Sequence, residues 1–163
     1  MTVHEFELLD GVVLTKLVRS DRPITLRMIE TRPDEACSAY KLNDEVDLFI
    51  KHRTTSRSLA GGKGRSWSFV FGIDQLQQMS KSTARAGVYI ALVCASRQVK
   101  DPQRCVCLLY PREVKELLDF SVPAQQPITI KYSPGRSLRV YKGRKETYKV
   151  PQNRLEKWSV PGS

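Results

Sequence analysis

Cysteine and histidine are the first side chains to consider for chemistry, because they ligate metals and act as nucleophiles or bases. No two cysteines have the C-x-x-C spacing that presents a pair of thiolates to one metal, and Cys105 and Cys107 lie two apart in a strand-like run. The pattern predicts buried, unreactive thiols at Cys37, Cys94, Cys105 and Cys107. The histidines are His4 and His52, which disfavours a two-histidine metal site or a cysteine–histidine dyad. We therefore expect no resident metal or cofactor.

A first group of cations lies in a loop rich in serine and glycine. Residues 51–65 hold five cations and no acid: Lys51, Arg53, Arg57, Lys63 and Arg65. Gly61, Gly62 and Gly64 would let a phosphate approach the backbone closely. The segment lacks the G-x-x-x-x-G-K-[ST] spacing of a nucleotide-binding loop, so we expect phosphate contacts of a less specialised kind.

A second group of cations alternates with aromatic residues near the end of the chain. The cations are Lys131, Arg136, Arg139, Lys142, Arg144, Lys145 and Lys149, and the aromatic residues are Tyr132, Tyr141 and Tyr148. In a strand, Leu138 and Val140 point one way while Arg139 and Tyr141 point the other. A cation and an aromatic ring on one solvated face suit phosphate contact together with base stacking.

The net charge is concentrated in these two places. The chain has 163 residues, 27 of them Lys or Arg and 17 Asp or Glu, for a formal charge of +10. Residues 1–50 carry a net −4, whereas residues 51–65 carry +5 and residues 131–158 carry +7. This distribution predicts nucleic acid as the partner. Two alternatives are an edge strand kept soluble by its charges, and a basic surface for acidic lipid or protein.

Composition excludes several classes of protein. With 40% hydrophobic residues the chain can build a core, which argues against intrinsic disorder. Its longest apolar runs, such as residues 88–95, fall well short of the roughly 20 residues that span a bilayer. The N-terminus begins with an acidic amphipathic stretch rather than a secretory signal. We therefore expect a cytoplasmic protein with no membrane partner.

Hydrophobic periodicity predicts the elements that must position these side chains. Helices are expected over residues 5–19, from Asp74 to near Gly87, and from Pro111 onward. Strands are expected over residues 24–30, 45–51, 67–71, 88–95, 105–110, 128–132 and 137–141, the last two joined by the turn Ser133-Pro-Gly-Arg136. The predicted fold is a single α/β (α+β) domain over residues 1–149, with a mixed sheet of about six to seven strands flanked by three helices in the order αβββαββαββ. Residues 150–163 are expected to form a peripheral tail.

The order of elements over the first 95 residues resembles the core of the restriction-endonuclease-like, or PD-(D/E)XK, nucleases, which include Holliday-junction resolvases. That family uses acids to hold Mg²⁺ and a lysine, two residues after the last acid, to position water. The resemblance implies Asp47 and Lys51 as catalytic residues, with Glu7, Glu30 or Asp34 as further carboxylates. Here Asp47 and Lys51 are four apart, and Phe49 occupies the place of the motif's acid.

A second resemblance covers most of the chain. The chain looks like an uncharacterised bacterial family of small α/β proteins, which has no established activity, in the segments Leu48-Phe-Ile-Lys51, Trp67-Ser-Phe-Val-Phe71, Ala91-Leu-Val-Cys94 and Cys107-Leu-Leu109.

Three hypotheses for the function follow from the sequence. The first is a non-catalytic nucleic-acid-binding protein that uses both basic segments. The second is a Mg²⁺-dependent nuclease that uses Asp47 and Lys51. The third is a protein-interaction module or homodimer joined through a strand edge or the tail around Trp158.

Overall fold

The computed structural model describes residues 5–19, 22–32, 36–96 and 105–162. Within these ranges four helices and ten strands follow one another in the order α1 (Glu5–Val18), β1 (Leu26–Arg32), β2 (Cys37–Leu42), β3 (Val46–Arg53), β4 (Arg57–Ser58), β5 (Arg65–Phe71), α2 (Ile73–Ser80), β6 (Val88–Cys94), β7 (Cys105–Leu109), α3 (Pro111–Leu117), β8 (Gln126–Tyr132), β9 (Leu138–Lys142), β10 (Lys145–Val150) and α4 (Arg154–Lys157). In the described part of the chain, no helix has the length and apolar character needed to cross a membrane.

The strands form two sheets of five. The first sheet has the order β1-β2-β3-β6-β7, and the second has the order β10-β9-β8-β5-β4. In the first sheet β3 and β6 run parallel, and the other described neighbours in both sheets are antiparallel. The mixed α/β class is confirmed. The expectation of one sheet of six to seven strands with three helices is corrected, because β2, β4, β10 and α4 are additional elements and the strands divide between two sheets.

The two sheets pack face to face around the larger hydrophobic core. From the second sheet, β5 directs Trp67, Phe69 and Phe71 inward, and all three are almost completely buried. Phe49 and Ile90 face them from the first sheet, and α2 and α3 add Leu76, Met79, Val114 and Leu117. The Trp67 indole N–H donates to the carbonyl oxygen of Ala95 at 2.8 Å. This bond satisfies the one polar group that the buried ring carries.

A second core lies on the opposite face of the first sheet, which is therefore the middle layer of the molecule. The α1 residues Leu9, Val13 and Leu17 follow helical spacing and pack on the even-numbered side chains of β3. The C-terminal segment, expected to be a peripheral tail, contributes Leu155 and Val160, both buried, to this core. In the same segment the Trp158 ring lies 4.6 Å from the ring of Tyr89, centroid to centroid.

A cluster of polar side chains is buried beneath α1. Asp10 is 2% exposed, and the Tyr40 hydroxyl donates to its Oδ2 at 2.7 Å. Burial raises the pKa of the Asp10 carboxyl, while hydrogen bonds from Tyr40 and Ser38 and the charge of His52 oppose that shift. Burial, and then the Asp10 carboxylate, also raise the pKa of Tyr40, so the phenol stays protonated and can donate. These contacts fix α1 on the sheet.

We predict that Asp10→Asn makes the protein progressively more stable, relative to wild type, as pH rises. The raised pKa means that native Asp10 holds its proton more tightly than unfolded Asp10 does, so its contribution to stability falls as the pH rises above about 4, the ordinary pKa of the unfolded carboxyl. Asparagine does not ionise, yet keeps an oxygen to accept from Tyr40. Thermal unfolding at a series of pH values measures the difference, with Asp44→Asn as a control on an exposed turn. A difference in Tm that does not change with pH would contradict the assignment.

Candidate nucleic-acid interface

The outer face of the second sheet carries the side chains that do not point into the core between the two sheets. Because side chains alternate along a strand, the burial of Trp67 and Phe69 sends Ser66 and Ser68 to the opposite face. In β8 and β9 the same alternation buries Ile128, Ile130, Leu138 and Val140 and turns Thr129, Lys131, Arg139 and Tyr141 outward. The solvated face therefore carries the polar half of each strand.

Strand register aligns five of these outward residues in one line across the whole sheet. Arg57 on β4 is opposite Ser66 on β5, Ser66 is opposite Lys131 on β8, Lys131 is opposite Arg139 on β9, and Arg139 is opposite Lys149 on β10. We call these five residues the cation row. With a strand spacing of about 4.8 Å, the row is about 19 Å long. It contains four cations and no acid.

A second line runs beside the cation row, two residues away from it on β5, β8 and β9 and three residues away on β10, where a bulge lies between Glu146 and Tyr148. It consists of Ser68, Thr129, Tyr141 and Glu146, which we call the hydroxyl row. The Lys131 ammonium lies 4.4 Å from the centre of the Tyr141 ring, which is cation–π distance, and so joins the two rows. Positive charge, an aromatic ring and hydroxyl groups are thus presented together on a single surface.

Among the four cations of the cation row, Arg139 has the side chain whose position is most strongly defined by its contacts. Its Nη2 donates to the Ser133 hydroxyl at 2.9 Å, and Ser133 belongs to the predicted turn between β8 and β9. The Nε of the same guanidinium is buried and makes no hydrogen bond. This contact holds the Arg139 side chain toward the end of β8 and keeps it half-buried against the sheet.

Lys63, Arg65 and Arg136, three of the other predicted binding residues, lie near one end of the second sheet. Lys63 and Arg136 are exposed, in the β4–β5 loop and in the β8–β9 turn respectively. A Cβ at Gly64 would lie 2.6 Å from the carbonyl oxygen of Tyr132, so the loop contacts the end of β8. Arg65 is half-buried at the start of β5 and donates to the Ser58 hydroxyl at 3.4 Å.

Lys142, Arg144 and Lys145 lie at the opposite end of the sheet. All three are exposed around the β9–β10 turn, where Gly143 adopts the left-handed conformation with φ of 61°. Lys142 donates through its ammonium to the backbone carbonyl of Glu116 at 3.1 Å. The structure therefore divides the predicted hairpin cations between the two ends of the sheet and the row that crosses it.

Asp47 and Lys51, the residues implied for catalysis, are not brought together. They are four residues apart on β3, which places their Cα atoms about 13 Å apart, with Phe49 between them. The Asp47 Oδ2 accepts from the Ser82 hydroxyl at 2.5 Å, and its Oδ1 lies 3.5 Å from the Lys41 ammonium. Lys51 is 6% exposed and donates to Gln75 at 3.2 Å. Arg53, the next predicted cation on β3, is exposed at the end of that strand.

The further carboxylates do not assemble around Asp47. Glu7 belongs to α1, which packs on the other face of the first sheet. Asp34 and the side chain of Glu30 lie outside the residues that the structure describes. Within the four described ranges, no three His, Cys, Asp or Glu side chains lie close enough together to hold a metal ion. Asp47 instead lines a cleft of about 500 Å³ together with Arg27, Lys41 and Lys81.

The cysteines occupy packed positions. Cys37, Cys94 and Cys107 are buried, as predicted, and Cys105 is half-buried. Burial raises the pKa of the Cys94 and Cys107 thiols, which disfavours the reactive thiolate. His52 is also buried, on the face of β3 that α1 covers.

Sequence reasoning missed two features of the surface. It did not include Ser66, Ser68 and Thr129, and it could not align Arg57 with Lys131. The alternation of Ser66 and Ser68 with Trp67 and Phe69 was a usable signal for the outward serines, whereas the alignment of Arg57 with Lys131 depends on which strands pair.

Comparisons with protein-family models, with curated proteins and with solved structures find no match to this chain.

We predict that Lys51→Ala lowers stability and leaves any affinity of the protein for oligonucleotides unchanged. The substitution removes a buried side chain that contacts the Phe71 ring and Gln75, so the free energy of unfolding should fall by about 1–3 kcal/mol. Chemical denaturation and an oligonucleotide titration measure the two effects, with Lys81→Ala as an exposed control cation. Weaker oligonucleotide binding at unchanged stability would contradict this prediction and would indicate that Lys51 contacts the ligand.

Proposed function

We propose that this protein binds nucleic acid through the outer face of its second sheet. The observation that carries the proposal is the cation row, in which four positive side chains cross five strands with no acid among them. Nucleic-acid binding of this kind draws its affinity from the release of counterions as Lys and Arg neutralise phosphates. Alignment concentrates that effect along one line.

The distribution of charge between the sheets supports the proposal. The five described strands of the second sheet contain seven cations, Arg57, Arg65, Lys131, Arg139, Lys142, Lys145 and Lys149, and a single acid, Glu146. The acidic first third of the chain builds α1 and most of the first sheet. The positive charge is therefore concentrated on one outer layer, where it produces a directional field.

Protection of sheet edges against aggregation accounts for only part of the row. Cations on edge strands discourage pairing with another molecule, and Arg57 on β4 and Lys149 on β10 fit that role. Lys131 and Arg139 lie on β8 and β9, which have neighbours on both sides. Because β8 and β9 are inner strands, Lys131 and Arg139 protect no sheet edge, and this favours a ligand-binding role for them.

We predict that Lys131→Gln/Lys149→Gln weakens binding and reduces its salt dependence. Each neutralised phosphate contact should lower the slope of log affinity against log salt by roughly one. Fluorescence anisotropy with labelled oligonucleotides, from about 50 mM salt upward, measures both quantities. The control Arg27→Gln/Arg85→Gln removes two exposed cations that lie away from the second sheet.

The proposal is wrong if the wild-type protein binds neither DNA nor RNA, single- or double-stranded, at about 50 mM salt, where multiple phosphate contacts are strong. It is also wrong if the control variant loses as much affinity as the row variant, because binding would then follow net charge rather than this surface.

A second candidate function is self-association through β1. This strand is an edge of the first sheet, and its Leu26, Met28 and Ile29 side chains are 44%, 51% and 45% exposed. An edge strand with exposed apolar side chains can pair with the same strand of a second copy. We expect Met28→Lys/Ile29→Lys to convert a dimer to a monomer in light scattering coupled to size exclusion. A wild-type monomer at all concentrations would exclude this role.

A further inference from the structure

We infer that the ligand of this surface is a single-stranded nucleic acid that crosses the β-strands, with its phosphates along the cation row and its bases over the hydroxyl row. The inference rests on the proposed function and specifies its ligand. It follows from the chemical difference between two neighbouring lines of residues on one sheet face: one line carries four cations, and the other carries an aromatic ring, two hydroxyl side chains and the acid Glu146.

The spacing of the two rows suits a strand laid flat on the sheet. On β5, β8 and β9 the corresponding residues of the two rows are two apart on the same β-strand, for example Arg139 and Tyr141, so the rows are about 7 Å apart there. A single strand has a charged backbone on one side and unpaired bases on the other. In a duplex the bases are stacked and paired inside, so the ring of Tyr141 would have no base to contact.

The hydroxyl row can contact any of the nucleic-acid bases. Ser68 is exposed and Thr129 is half-buried beside it, and each hydroxyl both donates and accepts hydrogen bonds. An aromatic ring stacks on every base because every base has a π-face. We therefore expect weak sequence preference, with affinity set by stacking on Tyr141 and by contacts along the cation row.

Lys131 connects the two kinds of contact. Its ammonium lies over the Tyr141 ring, where a stacking base would sit, and its backbone lies in the cation row beside Arg139. A base that takes the ring face displaces the ammonium, which then remains within reach of the phosphates along its own row. Base stacking and phosphate contact at Lys131 are thus expected to occur together.

Glu146 sets the orientation of the strand. It is the acid of the hydroxyl row and pairs with Tyr141 across β9 and β10, so it repels phosphates from that row. Neutralising it should allow the backbone to bind on either row. We expect Glu146→Gln to tighten binding modestly, which a purely structural role for this exposed side chain would not produce.

The test compares oligo-dT and oligo-U of about ten nucleotides with a blunt DNA hairpin of the same charge, by fluorescence anisotropy. We expect either single strand to bind at least about 10-fold more tightly than the hairpin. Tyr141→Val, which keeps a strand-forming residue, should weaken single-strand binding about 10-fold, within the range measured for one base–aromatic stack. Tyr141→Phe, which keeps the ring, should bind like wild type, and the salt slope should not change in either variant.

The outcomes separate this inference from the proposed function. Equal affinity for hairpin and single strand, or an unchanged affinity in Tyr141→Val, overturns the single-strand inference. In either case a loss of binding in Lys131→Gln/Lys149→Gln still supports the proposed surface. No binding to any of the three oligonucleotides overturns both. If Tyr141→Val does not fold, the ring protons of Tyr141, identified by comparison with Tyr141→Phe, must shift upfield on addition of oligo-dT, and unshifted signals overturn the inference.

Discussion

The burial of Trp67, Phe69 and Phe71 between the two sheets is the constraint on which the rest of the molecule depends. These rings fix which face of β5 is inward, and through its pairing with β8 they fix the faces of β8, β9 and β10 as well. A shift of one residue in β5 would expose three aromatic rings and bury Ser66, Ser68 and Val70 in their place. The large cost of such a shift fixes which face of the second sheet is solvated, and with it the side chains that the cation row presents.

The layered arrangement also separates two kinds of polar residue. On the α1 side of the first sheet, polar groups such as Asp10 and Tyr40 are buried and bonded to each other, and they hold α1 in place. Between the sheets, Lys51 and Gln75 form a buried pair within the core. On the outer face of the second sheet the cations reach solvent with few acids to neutralise them. Only this last group combines exposure with a regular arrangement, and that combination is what a polyanion requires.

The sequence was a good guide to local structure and a poor guide to the pairing of distant segments. The helix over residues 5–19, the turn at residues 133–136 and the strands around Trp67 and Val88 follow from periodicity and turn chemistry, and the structure has them. The strands β2 and β10 were missed because Lys41 and the charged start of β10 obscure the apolar pattern. Division into two sheets depends on contacts such as β5 with β8, about 60 residues apart in sequence, which no local pattern encodes.

The candidate site shows the same division between local and long-range information. The sharing of a face by Arg139 and Tyr141 was predictable from alternation, but the place of Arg57 in the same row was not. Lys51 was expected at the surface because alternation assigns one face of β3 to solvent, whereas the second sheet and α2 cover that face.

The most direct measurement of the central claim is a titration of ¹⁵N-labelled protein with oligo-dT, followed by amide chemical shifts. We predict that the largest changes cluster on β5, β8, β9 and β10 around the cation row. Changes confined to the first sheet or to α1 would contradict it.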